Sequence, residues 1–267
     1  MEYMFDFNFD LRDNGVAVIE FNRPDTLNSL TFEIYAQLER LFAELQNDSS
    51  VRVVVLTGTG KGFCSGGNVE DIIAKLFEVD LEETLAFTRM TGAVVRNMRR
   101  LTKPIVGAIN GVCAGAGTVL ALACDLRVLS DRATFAFLFS KVGLTGADMG
   151  AAHLLPRIVG AGRAAELLLL GDKIDALECH RIGLANRVVP HEELMKAAVA
   201  LADRLASGPA AAHGLTKRLL VDEAYMDLDS AIEIEAQAQA LMLRGEDHRE
   251  FYEAWKEKRK PNFGSAG

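Results

Sequence analysis

Phe63-Cys64-Ser65-Gly66-Gly67 and Asn110-Gly111-Val112-Cys113-Ala114-Gly115-Ala116-Gly117 are the two stretches whose reading decides the fold. Each follows a strand-like apolar run, Val53-Val54-Val55-Leu56 for the first and Ile105-Val106-Gly107-Ala108-Ile109 for the second, and each leads into a helical pattern. Small residues at a strand-to-helix turn leave backbone N–H groups bare and let a ligand come close. Two such turns aimed at one point polarise a carbonyl oxygen and form an oxyanion hole. Neither stretch brings the carboxylates expected beside such a hole, so the electrostatics look intact while the acid–base chemistry looks rewired.

At 267 residues and 49% hydrophobic, the chain can bury a substantial core as one unit with a smaller terminal appendage. A formal net charge of −8 argues against nucleic acid and anionic membrane surfaces, yet local cations or helix N-termini can still hold an anionic ligand. Cys64, Cys113, Cys124 and Cys179 show no metal-ligand spacing, and free thiols in a reducing compartment are the plain reading. No metal is expected. The stretch from Pro104 to Cys124 carries no charge and is long enough to cross a bilayer, but its glycines and central Asn110 fit a buried strand, turn and helix better. With no basic, apolar leader at Met1–Asp6, a soluble, cytoplasmic protein is expected.

The periodicity predicts a strand over 16–21, then a helix capped by Thr31 with Tyr35, Leu38, Leu41, Phe42 and Leu45 on its apolar face. A strand over 51–56 follows, then an irregular, polar segment over 68–80. A helix over 81–101 is expected to turn Leu85, Met90, Val94, Met98 and Leu101 inward. Strand 104–110, helix 115–123 and strands 126–129 and 134–137 come next. Beyond Asp148 the pattern is helical except at 186–190. Strands alternating with helices and then helices alone predict an α/β core over 1–191 and a helical region over 192–267 within the same functional unit. The apolar stripes of that region can pack on their own domain or on a neighbouring subunit.

Arg23-Pro24 with Leu27-Asn28-Ser29-Leu30, the two glycine turns, Cys124-Asp125, Pro156-Arg157-Ile158-Val159-Gly160 and Gly183-Leu184-Ala185-Asn186-Arg187-Val188-Val189 stand in an order that resembles the crotonase (enoyl-CoA hydratase/isomerase) family. The resemblance spans about residues 10 to 260. It implies a spiral of ββα turns with a C-terminal helical trimerisation region, and assembly as a homotrimer or dimer of trimers. It also implies a coenzyme A thioester as substrate, with no cofactor besides the coenzyme A that the substrate carries. The oxyanion donors it implies are the N–H groups of Gly67 and Ala116, with Leu27, Ser65, Gly66 and Val69 contacting coenzyme A. Where the family usually has an acid after the first turn, this chain has Asn68.

Hydratases of that family place water with two glutamates, and the matching positions here are Val119 and Phe139, neither of which transfers a proton. The remaining candidate is Asp148, which falls where dienoyl-CoA isomerases and aryl-halide-displacing members carry an aspartate, provided one residue is inserted near 144–147. Asp148 also reads as a helix N-cap, a position that would hold it ionised. His153 reads as a packed or surface histidine, and Phe87, Phe137 and Phe139 suit either the core or an apolar acyl pocket. The expected protein is an enzyme stabilising a thioester enolate of an unsaturated or aromatic acyl-CoA. An Asp148-dependent isomerase, hydrolase or C–C lyase, and a non-catalytic CoA-binding or assembly protein, are the alternatives.

Overall fold

The computed structural model describes residues 5–264. An antiparallel hairpin, β1 (Asn8–Leu11) and β2 (Val16–Phe21), opens the chain, and α1 (Phe32–Glu44) follows. Three ββα windings come next. The first is β3 (Val53–Gly58), β4 (Gly62–Cys64) and α2 (Leu81–Arg100); the second is β5 (Ile105–Ile109), β6 (Val112–Ala114) and α3 (Ala116–Ala123). The third is β7 (Leu126–Ser130) and β8 (Thr134–Ala136), leading to α4 (Ala151–Val159) and α5 (Ala161–Leu170). The remaining elements are β9 (Ile174–Asp175), α6 (Ala176–Arg181), β10 (Arg187–Val189), α7 (Leu194–Ala206), α8 (Ala210–Asp222), α9 (Leu228–Leu243) and α10 (Glu246–Glu257).

Each winding gives one strand to each of two sheets, a six-stranded sheet ordered β1-β2-β3-β5-β7-β10 and a four-stranded one ordered β4-β6-β8-β9. Both orders follow the chain, as a spiral of ββα turns requires, and the pairing is parallel from β2 to β10. Parallel strands buried on both faces read as unbroken apolar runs rather than alternations. On one face Val54, Leu56, Ile105 and Ile109 join the core made with α1, α2 and α3. On the other, Val16, Val53, Val55, Val106, Ala108 and Val128 lie under Leu194, Ala198, Ala202 and Ala206 of α7.

Thr31 caps α1 by accepting from the Ile34 N–H at 3.3 Å, and Tyr35, Leu38, Leu41 and Phe42 are buried as the stripe predicts. Within α2, Val94 and Met98 are buried, but Leu85 is 43% exposed, because the first turns of α2 run past the edge of the core. Segment 68–80 is more regular than its composition implies. Asn68 accepts from the Glu70 and Asp71 N–H groups and caps a π-helix over Val69–Ala74. The short strands β6 and β9 were hidden in glycine-rich and polar sequence that carries no period. Apolar side chains of the last two helices, including Leu228, Ile232, Leu241, Phe251 and Trp255, remain exposed.

The loop before α1 depends on Asn28, which is 1% exposed. Its Oδ1 accepts from the Arg23 N–H at 2.7 Å, and its Nδ2 donates to the Thr59 and Gly62 carbonyls at 3.0 and 2.7 Å. Leu27 and Asn28 both have positive φ (52° and 59°), and asparagine tolerates that region better than most residues. Asn28→Leu, which removes all three bonds, is expected to cost about 3 kcal/mol, read as a lowered midpoint in urea unfolding.

Candidate active site

The two glycine turns meet at the ends of β4 and β6, which lie side by side with Cys64 opposite Cys113. A methyl group built on Gly66 would stand 3.3 Å from the Ala114 carbonyl oxygen and 3.5 Å from the Ala116 nitrogen. The loops thus stand about one methyl group apart. Gly66 adopts φ +104°, and its carbonyl accepts from the Leu30 N–H at 2.8 Å. The Leu30 carbonyl in turn accepts from the Asn68 N–H at 2.8 Å, so Gly67 is pinned on both sides. In the second turn the Gly115 N–H donates to the Ala136 carbonyl at 3.0 Å, and the Thr118 hydroxyl donates to the Gly115 carbonyl at 2.6 Å.

Between these clamps, the N–H groups of Gly67 and Ala116 donate to no carbonyl or side chain among the described residues. Ala116 is the first residue of α3 after the Gly115 N-cap, where an N–H has no intrahelical partner and the helix dipole adds positive potential. Gly115 takes the positive φ of the turn (+50°) and Ala116 does not, so alanine is accommodated without strain. The geometry therefore offers two adjacent, preorganised donors, able to share one oxygen whose charge grows.

Asp148 lies on the turn that enters α4, but it is not that helix's cap. The N-cap is Gly150, which makes no side-chain bond, and the Asp148 Oδ1 instead accepts from the Met149 N–H at 2.9 Å. Met149 holds the left-handed conformation (φ +50°) with its side chain buried. Loss of the cap reverses the expected electrostatics. Partial burial raises the Asp148 carboxyl above its ordinary value, and the single Met149 N–H offsets this in part. Tyr35 on α1 is close enough to feel Asp148, and the sequence stripe had marked it only as core. A lone hydroxyl in an aliphatic stripe was the signal that could have singled it out.

Val119 and Phe139 are buried and apolar, as read from the sequence. Leu27, Ser65 and Gly66 are knitted to one another: the Ser65 N–H donates to the Leu27 carbonyl at 3.0 Å and the Ser65 hydroxyl to the Thr26 carbonyl at 3.0 Å. Val69 is 66% exposed at the start of the π-helix. Among the thiols, burial pushes Cys64, Cys124 and Cys179 up to about 12 and also raises Cys113 well above its ordinary value, so none supplies a thiolate nucleophile near neutral pH. His153 stacks on Tyr225, with its Nε2 2.7 Å from the phenol oxygen, away from the glycine turns. The described residues contain no cluster of three metal-ligating side chains.

Two adjacent unpartnered N–H groups on a spiral of ββα turns define a site that can hold one carbonyl oxygen. The family model for enoyl-CoA hydratase/isomerase matches residues 12–266, and the chain belongs to that family. It is 36% identical over 260 residues to the 1,2-epoxyphenylacetyl-CoA isomerase of Escherichia coli K12, covering 97% of this chain and 99% of the other. It is 34% identical to the short-chain-enoyl-CoA hydratase of Clostridium acetobutylicum, covering 93% and 94% of the two chains. A Streptomyces coelicolor A3(2) protein provisionally assigned as an enoyl-CoA hydratase superposes with a TM-score of 0.95 at 50% identity, over 97% of this chain and 94% of that one.

Two substitutions separate the site from the scaffold. Gly66→Ala adds a methyl group at positive φ against the Ala116 nitrogen, and is expected to lower kcat on an acyl-CoA substrate about 10²- to 10³-fold with the fold retained by circular dichroism. Gly117→Ala would set a methyl group 2.2 Å from the Cys64 carbonyl oxygen, and is expected to lower the melting temperature as well as the activity.

Proposed function

We propose that this protein is an enzyme of acyl-CoA metabolism that forms a thioester enolate, using Gly67 and Ala116 as oxyanion donors and Asp148 as the proton-transferring group. The observation that carries the reading is the pair of unpartnered N–H groups on adjacent turns. A thioester oxygen seated between them accepts both hydrogen bonds. As Asp148 removes a proton from the carbon skeleton conjugated with that carbonyl, the C–H electron pair moves toward the oxygen and the donors hold the charge. Return of the proton at another carbon shifts a double bond and leaves the Asp148 carboxylate as it began. With Val119 and Phe139 in place of the paired glutamates, addition of a glutamate-positioned water is not the reaction these residues favour. An unsaturated or aromatic acyl group is the proposed cargo; Phe137 and Phe139 are packed in the core, with Phe87 partly buried against it. The E. coli relative, named for an epoxyphenylacetyl-CoA, supports an aromatic acyl group here. Leu27, Ser65, Gly66 and Val69 are assigned to coenzyme A contact, through backbone groups beside the oxyanion turn.

A raised carboxyl that still works as a base gives a defined pH profile. In this reading kcat/KM rises with pH through an apparent pKa above 3.8, the ordinary Asp value, and Asp148→Asn lowers turnover about 10²- to 10⁴-fold while coenzyme A still binds. The same shift has a thermodynamic sign. The folded state binds this proton more tightly than the unfolded state, so its contribution to stability is present at low pH and lost as pH rises past 3.8 through the raised folded value. Asp148→Asn is therefore expected to melt higher than wild type at pH 7, the gap closing toward pH 3.5. A D148N protein with full turnover would sink the reading.

The exposed apolar side chains of α9 and α10 support assembly, and a homotrimer or dimer of trimers is the proposed state. Sedimentation velocity at micromolar concentration is expected to show a mass of three or six chains. A sharp monomer peak counts against it.

A further inference from the structure

The Tyr35 phenol has no task in the chemistry above. Its side chain is buried, at 3% exposure, in the second turn of α1, and its ring meets Phe87 edge-on with centroids 5.7 Å apart. Phe87 in turn meets Phe32 at 4.7 Å, so the phenol is flanked by aromatic rings. The start of α1 is tied to the oxyanion turn through Leu30, whose N–H and C=O bond Gly66 and Asn68. Cys64, at the head of that turn, and Asp148 both lie close enough to act electrostatically on the phenol. Tyr35 thus lies within electrostatic reach of both the first glycine turn and the Asp148 turn.

No hydrogen bond to the Tyr35 hydroxyl exists among the described residues, and none joins it to Asp148, whose Oδ1 is held by Met149. Among the described residues, the unpartnered side-chain atoms wholly sealed from solvent are Asn110 Oδ1, Ser140 Oγ and Glu223 Oε1, so the Tyr35 hydroxyl keeps only a sliver of accessible surface. A hydroxyl with no protein partner and so little access to water is under-bonded in the free protein, and a partner that arrives with the ligand completes its bonding. Burial keeps the phenol protonated, so it can donate. A site built to bond an oxygen discriminates against the analogue lacking it.

We infer that Tyr35 donates a hydrogen bond to an oxygen atom carried on the acyl group beyond the thioester, making this a site for an oxygen-bearing acyl-CoA. The inference rests on the acyl-CoA reading above and narrows its substrate class. Titration calorimetry separates the two. Free coenzyme A, phenylacetyl-CoA and its 2- and 4-hydroxy forms, and butyryl-CoA with 3-hydroxybutyryl-CoA are bound to wild type and to Tyr35→Phe. At least one oxygenated thioester is expected to bind wild type about tenfold tighter than its parent, a preference erased in Tyr35→Phe with the parent's affinity unchanged. Equal weakening of parent and oxygenated forms, or no preference in wild type, overturns the inference while binding of coenzyme A and the parents keeps the acyl-CoA reading. If no thioester binds, both fall. Tyr35→Phe is expected to melt at or above the wild-type temperature, and a clear decrease shows the hydroxyl already paired in the free protein, which also overturns the inference.

Discussion

The site depends on backbone lying close to backbone. Gly66 and Ala116 stand about one methyl group apart because neither turn carries a side chain between them, and Gly117 lies so close to the Cys64 carbonyl that no methyl group fits there. This close approach exists because β4 and β6 are neighbours in the smaller sheet while their partners β3 and β5 are neighbours in the larger one. Two successive windings of one spiral are thereby brought into register, and their exits face the same point. The proposed chemistry rests on that register, since an oxyanion hole needs donors fixed before charge develops rather than donors that must reorganise to meet it.

Asp148 illustrates how little separates a structural carboxylate from a reactive one. Capping α4 would have surrounded it with several N–H donors and kept it ionised. The left-handed Met149 instead gives it one, and partial burial then raises its proton affinity. Asn68 has taken the other course. Its side-chain oxygen caps the π-helix with two N–H groups, and its nitrogen donates to the Ser29 hydroxyl at 3.2 Å, so it is spent on holding the loop. The buried thiols contribute only volume, being held neutral by the apolar surroundings that make them good packing.

The inner strands of the larger sheet were legible because burial on both faces leaves an unbroken apolar run, as in Val53–Leu56 and Ile105–Ile109, whereas the exposed edge strand β1 was not. α1 was legible because a capping threonine precedes a clean 3.6-residue stripe. β6 and β9 were not, since three- and two-residue strands carry no period to read. The two glycine turns announced themselves through small residues whose necessity is steric. The environment of Asp148 was hidden for a different reason. The sequence Gly146-Ala147-Asp148-Met149-Gly150 fits a cap as well as a turn, and only the left-handed backbone at Met149 decides which N–H the carboxylate meets. Tyr35 was hidden by its neighbours, since periodicity scores the ring and ignores the hydroxyl.

The position of α7 has a consequence for how the chain is made. Val53, Val55, Val106 and Ala108 are covered by Leu194, Ala198, Ala202 and Ala206, which a ribosome delivers long after the strands themselves. Until then the nascent sheet has one finished face and one bare valine-rich face. That bare face is the kind of surface to which chaperones and other unfinished chains adhere. A nascent polypeptide stalled before α7 would carry both glycine turns and Asp148, yet it would be a sticky half-layer. Late synthesis of one alanine-rich helix, rather than assembly of the chemistry, is then the step that commits this fold to solution.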